Sequence, residues 1–207
     1  MTNTSTAKLI QREFKFSPAQ ILVIGFASII LVGTILLSLP VSGANGNAPK
    51  LVDALFTSTS AVCVTGLVVV DTEKGFSLFG QVVILLLIQI GGLGYMTLAT
   101  LTALFIGKKI TLRDRILMQE GFNQFNLAGL VKFALYVVKV TLLFEFIGAI
   151  ILAWHWAGTF GLSRAFYLGI FHSVSAFCNA GFSLFSANLA GYVTDPVVNL
   201  VITSLII

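Results

Sequence analysis

Two stretches of the chain share a pattern of hydroxyl, thiol and glycine residues that suits cation binding by backbone oxygens. Residues 56–66 read Phe-Thr-Ser-Thr-Ser-Ala-Val-Cys-Val-Thr-Gly, and residues 171–181 read Phe-His-Ser-Val-Ser-Ala-Phe-Cys-Asn-Ala-Gly. Six of the eleven positions are identical at an offset of 115 residues, and polar residues occupy the same places. This degree of identity indicates an internal duplication.

The end of each stretch has the composition of a carbonyl-lined cation site. Such a site needs peptide oxygens turned inward, glycine where other residues avoid the backbone conformation, and no competing charged side chain. No Asp, Glu, Lys or Arg occurs in residues 54–70 or 165–188. The alternative is that the two glycines only make ordinary turns. We expect cation contacts, mainly through backbone carbonyls, from Val64, Thr65, Gly66, Leu67, Asn179, Ala180, Gly181 and Phe182, with Cys63 and Cys178 at neighbouring positions.

Composition places the chain in a membrane. Of its 207 residues, 57% are hydrophobic and 10% are charged, and the mean hydropathy is +1.00. Soluble domains carry about 25% charged residues, so a water-soluble fold would not cover this much apolar side chain. The net charge of +4 is small and scattered, and we expect no nucleic-acid partner.

Neither the cysteines nor the other reactive residues have the spacing of a catalytic or metal-binding motif. Cys63 and Cys178 occupy matching places in the repeat, which predicts two small buried residues and leaves a disulfide or metal site as the alternative. A membrane enzyme using His172, Cys178 or Glu145 is a rival hypothesis, but no nucleophile–base pair supports it. We therefore predict no catalytic residue and no enzyme.

Apolar runs bounded by proline, glycine and polar residues predict an all-α, polytopic membrane protein. Pro18 suits the start of the first helix and Pro40 its end, although a signal peptide cleaved near residue 44 is an alternative. The predicted elements are a polar N-terminal segment, 1–16; a first repeat, 17–106, with outer helix 17–40, pore helix 51–62, filter loop 63–67 and inner helix 76–106; an amphipathic connection, 107–128; and a second repeat, 129–207, with outer helix 129–157, pore helix 163–177, filter loop 178–182 and inner helix 195–207.

The placement of basic residues favours short helices that enter the membrane and return on the same side. In that arrangement one side collects eight basic residues and the other side three, whereas full spans would nearly balance the counts. The two groups are Lys8, Arg12, Lys15, Lys108, Lys109, Arg113, Arg115 and Lys132 on one side, and Lys50, Lys74 and Arg164 on the other. The positive-inside rule then predicts re-entrant pore helices and a cytoplasmic N-terminus.

The last predicted helix is too short to cross a bilayer. Residues 195–207 would extend for about 18 Å, little more than half of the hydrocarbon thickness. We therefore expect the chain to be part of a longer protein.

Several single residues allow two interpretations. Glu145, in the middle of an apolar helix, is expected either on an ion path or as a buried carboxyl hydrogen-bonded to a neighbouring helix. Gln89 is a candidate for a bond across helices, and His172 is expected in packing rather than in a proton relay. Trp154 and Trp156 are expected at the membrane interface.

Three segments, 58–67, 89–94 and 173–182, together resemble the Trk/Ktr/HKT superfamily of potassium transporters, and most closely the membrane subunit of bacterial Ktr-type uptake systems. The resemblance implies four tandem repeats of outer helix, pore helix, filter loop and inner helix around one pore, with one key glycine in each filter loop. In this chain those glycines are Gly66 and Gly181. One repeat and most of a second are present, so the third and fourth filter strands and the family's gating loop are missing.

The resemblance also implies an activity and partners. It implies multi-pass insertion in the plasma membrane, potassium as the transported ion in preference to sodium, and sodium as a candidate coupling ion. It further implies a homodimer and a cytosolic ring of nucleotide-binding regulatory subunits. We predict channel-like potassium uptake; the alternative is a secondary transporter whose half-helices form a substrate site at the membrane midplane.

Overall fold

The computed structural model of the protein describes residues 18–94 and 130–207, which are helical throughout apart from connecting loops. Within these ranges there is no β-strand, only an isolated bridge between Gly43 and Phe76. The predicted segments 1–16, 95–106 and 107–128 lie outside the described residues. The helices are α1 (Pro18–Leu37), α2 (Leu51–Val62), α3 (Thr72–Gly75), α4 (Leu78–Leu93), α5 (Leu130–Phe160), α6 (Leu162–Phe177) and α7 (Pro196–Ile206), with short 3-10 turns at Pro40–Ser42 and Asn188–Tyr192.

Two of these helices are long and apolar enough to cross a membrane. The qualifying segments are Gln20–Leu37 in α1 and Lys132–Phe160 in α5, whereas α2, α4 and α7 are shorter apolar helices. Large apolar side chains such as Val23, Leu31 and Ile35 are exposed on α1. A surface of this kind is stable against lipid hydrocarbon and not against water.

The packing of a short helix on a long one occurs twice, with the same contacts. The Ser58 hydroxyl donates to the carbonyl oxygen of Ile30 (2.8 Å), and the Ser173 hydroxyl donates to that of Glu145 (2.7 Å). Both partners of the second bond are 115 residues further along the chain than those of the first. The duplication in sequence is therefore also a duplication of contacts between α1 and α2 and between α5 and α6.

The helix that follows each of these pairs, α4 in the first repeat and α7 in the second, makes equivalent contacts, but its residues are separated by a different number of positions. A Cβ on Gly33 would lie 2.7 Å from a methyl group of Leu87, and a Cβ on Gly148 would lie 2.8 Å from a methyl group of Leu205. The glycines are 115 residues apart, but the leucines are 118 apart. The connection before α7 thus carries three extra residues, and α7 still packs as α4 does.

Helix boundaries differ from the predicted ones where a local group ends the helix early. Helix α1 stops at Leu37, because Leu39 precedes Pro40 and takes the extended conformation that proline imposes (φ −70°, ψ 144°). Helix α4 begins only after Ser77, whose hydroxyl caps the Gly80 amide, and ends before Gly94 at φ +75°. In the second repeat, α5 continues to Phe160, and Asp195 caps α7 by accepting hydrogen bonds from two backbone amides.

The prediction for the tryptophans is wrong for Trp156. Trp154 is 82% exposed, but Trp156 is 1% exposed and its ring packs against the rings of His172 (5.2 Å between centroids) and Phe185 (5.3 Å). Two residues advance a helix by about 200°, so neighbouring tryptophans at this spacing face opposite sides. Trp156 therefore anchors α6 to α5 inside the protein.

Candidate cation site

The two short helices α2 and α6 end in the same capping motif. At the end of α2, the Val64 amide donates to the carbonyl of Ala61 (3.3 Å) and the Thr65 amide donates to that of Ser60 (3.0 Å). These two bonds define a Schellman motif. In α6 the equivalent bonds run from Asn179 to Ala176 (2.9 Å) and from Ala180 to Ser175 (2.7 Å).

Residues 63–67 and 178–182, which we call the first and second glycine loops, leave these caps with matching backbone conformations. Val64 and Asn179 occupy the capping position with φ of +55° and +56°. Gly66 and Gly181 follow with φ of +73° and +69°. Asparagine and glycine tolerate this region, but a β-branched valine there is strained. The two loops have the same alternation of conformations despite their different sequences.

A serine hydroxyl in each short helix holds the far end of its glycine loop. The Ser60 hydroxyl donates to the carbonyl of Leu67 (2.7 Å), and the Ser175 hydroxyl donates to the carbonyl of Phe182 (2.6 Å). The Thr65 hydroxyl adds a bond to the oxygen of Ser60 (2.9 Å) in the first loop only. Each loop is therefore closed at both ends on its own helix.

The middle carbonyls of both loops have no hydrogen-bond donor in the described part of the chain. This holds for Thr65, Gly66, Ala180 and Gly181. Thr65 and Gly181 are exposed and Gly66 is partly exposed, so most of these oxygens border open space, where water or a cation can serve as the partner. The helix dipoles of α2 and α6 add partial negative charge at the same ends.

The two glycine loops meet at their glycines. A Cβ built on Gly66 would lie 2.8 Å from the carbonyl oxygen of Ala180, and one built on Gly181 would lie 3.3 Å from the Cα of Gly66. Any side chain at Gly66 would have to displace the second loop. Both the backbone conformation and the contact therefore require glycine at this position.

Helix α4 lies between the ends of the two short helices. A Cβ on Gly91 would lie 2.2 Å from the carbonyl oxygen of Val62, and one on Gly92 would lie 2.5 Å from the sulfur of Cys178. Neighbouring glycines thus let one helix contact both caps at backbone distance. The sequence contains the glycine pair, but nothing in its spacing shows which two elements it separates.

The cysteines behave differently from each other. Both are free thiols; Cys178 is buried as predicted, but Cys63 is exposed, so the expectation of two small buried residues is wrong for Cys63. Cys178 is covered by Gly92 of α4. The residues described include no group of three or more His, Cys, Asp or Glu arranged to hold a metal ion.

Gln89 and His172 have partners inside the protein. Gln89 donates to the Glu145 carboxylate at 3.2 Å, a bond between α4 and α5. His172 is buried, and its nitrogens contact the carbonyl oxygen of Leu168 (2.8 Å) and the hydroxyl of Ser183 (3.0 Å). His172 thus takes part in packing, in line with the favoured interpretation of the sequence.

Acidic residues outside the transmembrane helices are bound to neighbouring groups. Arg164, at the start of α6, pairs with Glu73 of α3. Asp71 accepts from the amides of Glu73 and Lys74 (3.0 Å each), and a hydrogen bond from the Ser186 side chain is the main cause that lowers the pKa of Asp71. The carboxylate of Glu73 is therefore paired with a cation, and that of Asp71 is used in capping.

Two helices long enough to span a membrane, apolar surfaces exposed on α1 and the absence of strands from the described residues indicate a helical membrane protein. The family model named TrkH, described as a cation transport protein, matches residues 5–207, and the chain belongs to this family. The resemblance drawn from the glycine loops is thereby confirmed.

Relatives within the family are potassium uptake proteins by name. The chain is 49% identical over 197 residues to the Ktr system potassium uptake protein B of Bacillus subtilis (strain 168), covering 93% of this chain and 43% of that protein. It is 39% identical over 193 residues to the potassium/sodium uptake protein NtpJ of Enterococcus hirae, with the same coverage. A third relative, the Ktr system potassium uptake protein B of Vibrio alginolyticus, is 38% identical over 188 residues, covering 91% and 41%. The chain spans less than half the length of these relatives.

Proposed function

We propose that this chain forms two walls of a pore through which potassium is taken up across the plasma membrane. The glycine loops serve as two strands of the selectivity filter, and α2 and α6 serve as pore helices. The observation that carries the proposal is the recurrence of one backbone trace in both loops, with Gly66 in contact with the second loop. The names of the relatives supply the ion, potassium.

Conduction follows from the replacement of water by peptide oxygens. A potassium ion passing alongside the two loops exchanges part of its hydration shell for the carbonyls of Thr65, Gly66, Ala180 and Gly181, which lack a donor among the described residues. Each short helix adds about 0.3–1 kcal/mol of charge–dipole stabilisation at its C-terminal end. Because no fixed acid lies in the loops, the ion is held weakly enough to leave.

The hydroxyls of Ser60 and Ser175 keep the spacing of these oxygens constant. Each binds the last carbonyl of its loop, at Leu67 and Phe182, at 2.6–2.7 Å. A fixed spacing lets a filter distinguish ions by size and by the field of its carbonyls. The carbonyls of Leu67 and Phe182 themselves keep one lone pair each for an ion.

The organisation of the whole protein is part of the proposal. We place the N-terminus in the cytoplasm, and we divide the chain into the repeats 17–106 and 129–207, because the counts of basic residues favour this topology. The homodimer, the regulatory ring and sodium coupling rest on the resemblance, and the name of the Enterococcus hirae relative includes sodium.

Uptake of rubidium or potassium by a host deficient in potassium transport tests the function. The complete gene and its Gly66→Ser variant are compared at equal membrane expression, with sodium as the competing ion. The proposal expects uptake by the parent and reduced uptake or selectivity in Gly66→Ser. Unchanged uptake and selectivity in the variant would exclude the filter assignment.

A further inference from the structure

Glu145 has a side-chain role that is absent from the first repeat. Its main-chain carbonyl accepts from Ser173, as the carbonyl of Ile30 accepts from Ser58. The backbone role of the position is therefore common to both repeats, and the carboxyl group is an addition to the second. An acid in a membrane-spanning helix is costly, so its retention needs a specific partner.

The carboxyl group lies between two elements that contact the second glycine loop. Glu145 is 5% exposed. One oxygen accepts from the Gln89 amide of α4 (3.2 Å), and the other lies 3.9 Å from the sulfur of Cys178, where the loop begins. No ion pair found among the described residues includes Glu145. Its interactions are therefore hydrogen bonds to neutral groups.

Gln89 also links Glu145 to the second glycine loop through the contacts of helix α4. One helical turn further along α4, Gly92 packs on Cys178, with a Cβ position only 2.5 Å from its sulfur. The bond from Gln89 to Glu145 fixes α4 relative to α5, so it also fixes how closely Gly92 approaches Cys178. Helix α4, helix α5 and the loop form a closed set of contacts.

Although one of its oxygens lies near Cys178, the carboxyl group borders a cavity that does not adjoin Asn179 or Gly181. Glu145 and Gln89 line a cavity of about 430 Å³ whose other walls are apolar side chains such as Leu86, Leu142 and Phe146. The cavities that adjoin Asn179 and Gly181 have other walls and do not include Glu145. This placement suits a residue that supports the loop from behind and does not contact the ion.

We propose that Glu145 is a positioning residue: as the acceptor for Gln89, it holds α4 against Cys178 and so sets the geometry of the second glycine loop. The inference rests on the proposed potassium filter. Its requirement is an acceptor oxygen at this position and a donor at Gln89. A negative charge is not required.

Variants separate the hydrogen bond from the charge. Glu145→Gln keeps an acceptor of similar size, whereas Glu145→Leu and Gln89→Leu remove one partner. The double variant Gln89→Glu with Glu145→Gln exchanges donor and acceptor. Leu86→Ala, in the wall of the same cavity, is the matched control. Each is assayed in the complete protein for the ratio of rubidium to sodium flux, and for the amount of folded protein in detergent.

We expect Glu145→Gln, the exchanged pair and Leu86→Ala to keep the flux ratio of the parent. Glu145→Leu and Gln89→Leu should lower it by roughly two- to tenfold, the range for one lost hydrogen bond. If Glu145→Gln lowers the ratio as much as Glu145→Leu, the charge is required and the inference is wrong. If Glu145→Leu does not fold, Gln89→Leu and the exchanged pair still decide the matter.

Failure of this inference differs from failure of the proposed function. A parent protein that does not prefer rubidium to sodium contradicts the filter itself. A selective parent whose flux ratio is unchanged in Gln89→Leu contradicts only the role of Glu145.

Discussion

Gly66 and Gly181 lie backbone to backbone: a Cβ on Gly181 would stand 3.3 Å from the Cα of Gly66. The contact joins two loops that are 115 residues apart in the chain and that have the same backbone conformations. A side chain at Gly66 would collide with the second loop, and one at Gly181 would be tight against the first. This contact at the two glycines is the structural basis of the proposed potassium site.

Gly66→Ala should be much more damaging than Gly46→Ala. Both glycines have positive φ, +73° and +70°, so either substitution carries a backbone cost of about 1–2 kcal/mol. Only Gly66 has a carbonyl oxygen 2.8 Å from the added Cβ, and overpacking adds about 1–3 kcal/mol. Thermal unfolding in detergent and rubidium uptake measure the difference. Equal effects of the two substitutions would show that the contact between the loops is unimportant.

Val64→Asn should stabilise the first glycine loop. Valine at φ +55° is strained by about 1–2 kcal/mol, and the second loop already has Asn179 at the same place with φ +56°. Asparagine accepts this conformation, so the midpoint of thermal unfolding should rise. Val64→Ile, which remains β-branched, is the control and should give no gain. A lower midpoint for Val64→Asn would mean that the valine side chain contributes more than its strain costs.

Ser60→Ala and Ser175→Ala should both weaken ion selectivity. Each removes a hydroxyl that binds the last carbonyl of a loop, a net loss of about 0.5–1.5 kcal/mol. Thr59→Ala is the control, because the Thr59 hydroxyl donates to the carbonyl of Leu55 within its own helix and, among the described residues, does not bind either glycine loop. The rubidium-to-sodium flux ratio should fall for the two serine variants and not for the threonine variant. The role of the hydroxyls is refuted if all three variants keep the parent ratio.

The ion pair between Arg164 and Glu73 should contribute little to stability. The side chains are 59% and 32% exposed, and exposed pairs contribute about 0.2–1 kcal/mol. A double-mutant cycle with Arg164→Gln and Glu73→Gln, followed by thermal unfolding in low and high salt, measures the coupling. Salt should reduce it. A large coupling that salt does not change would indicate a pair shielded from solvent.

Acid should weaken the segment that contains Asp71. Hydrogen bonds from Ser186 and from two backbone amides lower the pKa of Asp71 below its ordinary value of 3.8. Since the folded-state pKa is lowered, the stabilisation is complete above the ordinary value and is lost as the pH falls through the lowered one. Unfolding midpoints between pH 7 and pH 3 should fall more in the parent than in Asp71→Asn. Equal slopes would show that Asp71 does not contribute to acid sensitivity.

Much of the helical arrangement is predictable because local groups determine it. Pro18 and Asp195 mark helix starts, and apolar runs bounded by polar residues give helices where the structure has them. The division into pore repeats remains a prediction. The early end of α1 follows from the effect of Pro40 on Leu39, which is a local rule that boundary estimates overlook. The three extra residues before α7 are visible only once Leu87 and Leu205 are seen in equivalent contacts.

Contacts between distant segments are what the sequence does not reveal. The repeated serines are evident in the sequence, but their bonds to Leu67 and Phe182 depend on how each loop turns back. The burial of Trp156 depends on which face of α5 meets α6. The donor to Glu145 is 56 residues away on another helix, and one chain gives no signal for that pairing.

Anomalous scattering from thallium(I), a substitute for potassium, tests the central claim most directly. In crystals of the complete protein grown with thallium(I), we predict density alongside the two glycine loops, coordinated by the carbonyl oxygens of Thr65, Gly66, Ala180 and Gly181. Gly66→Ala crystals should lose that density. Thallium bound only elsewhere, for example at the Glu145 carboxylate, with nothing alongside the loops would contradict the account.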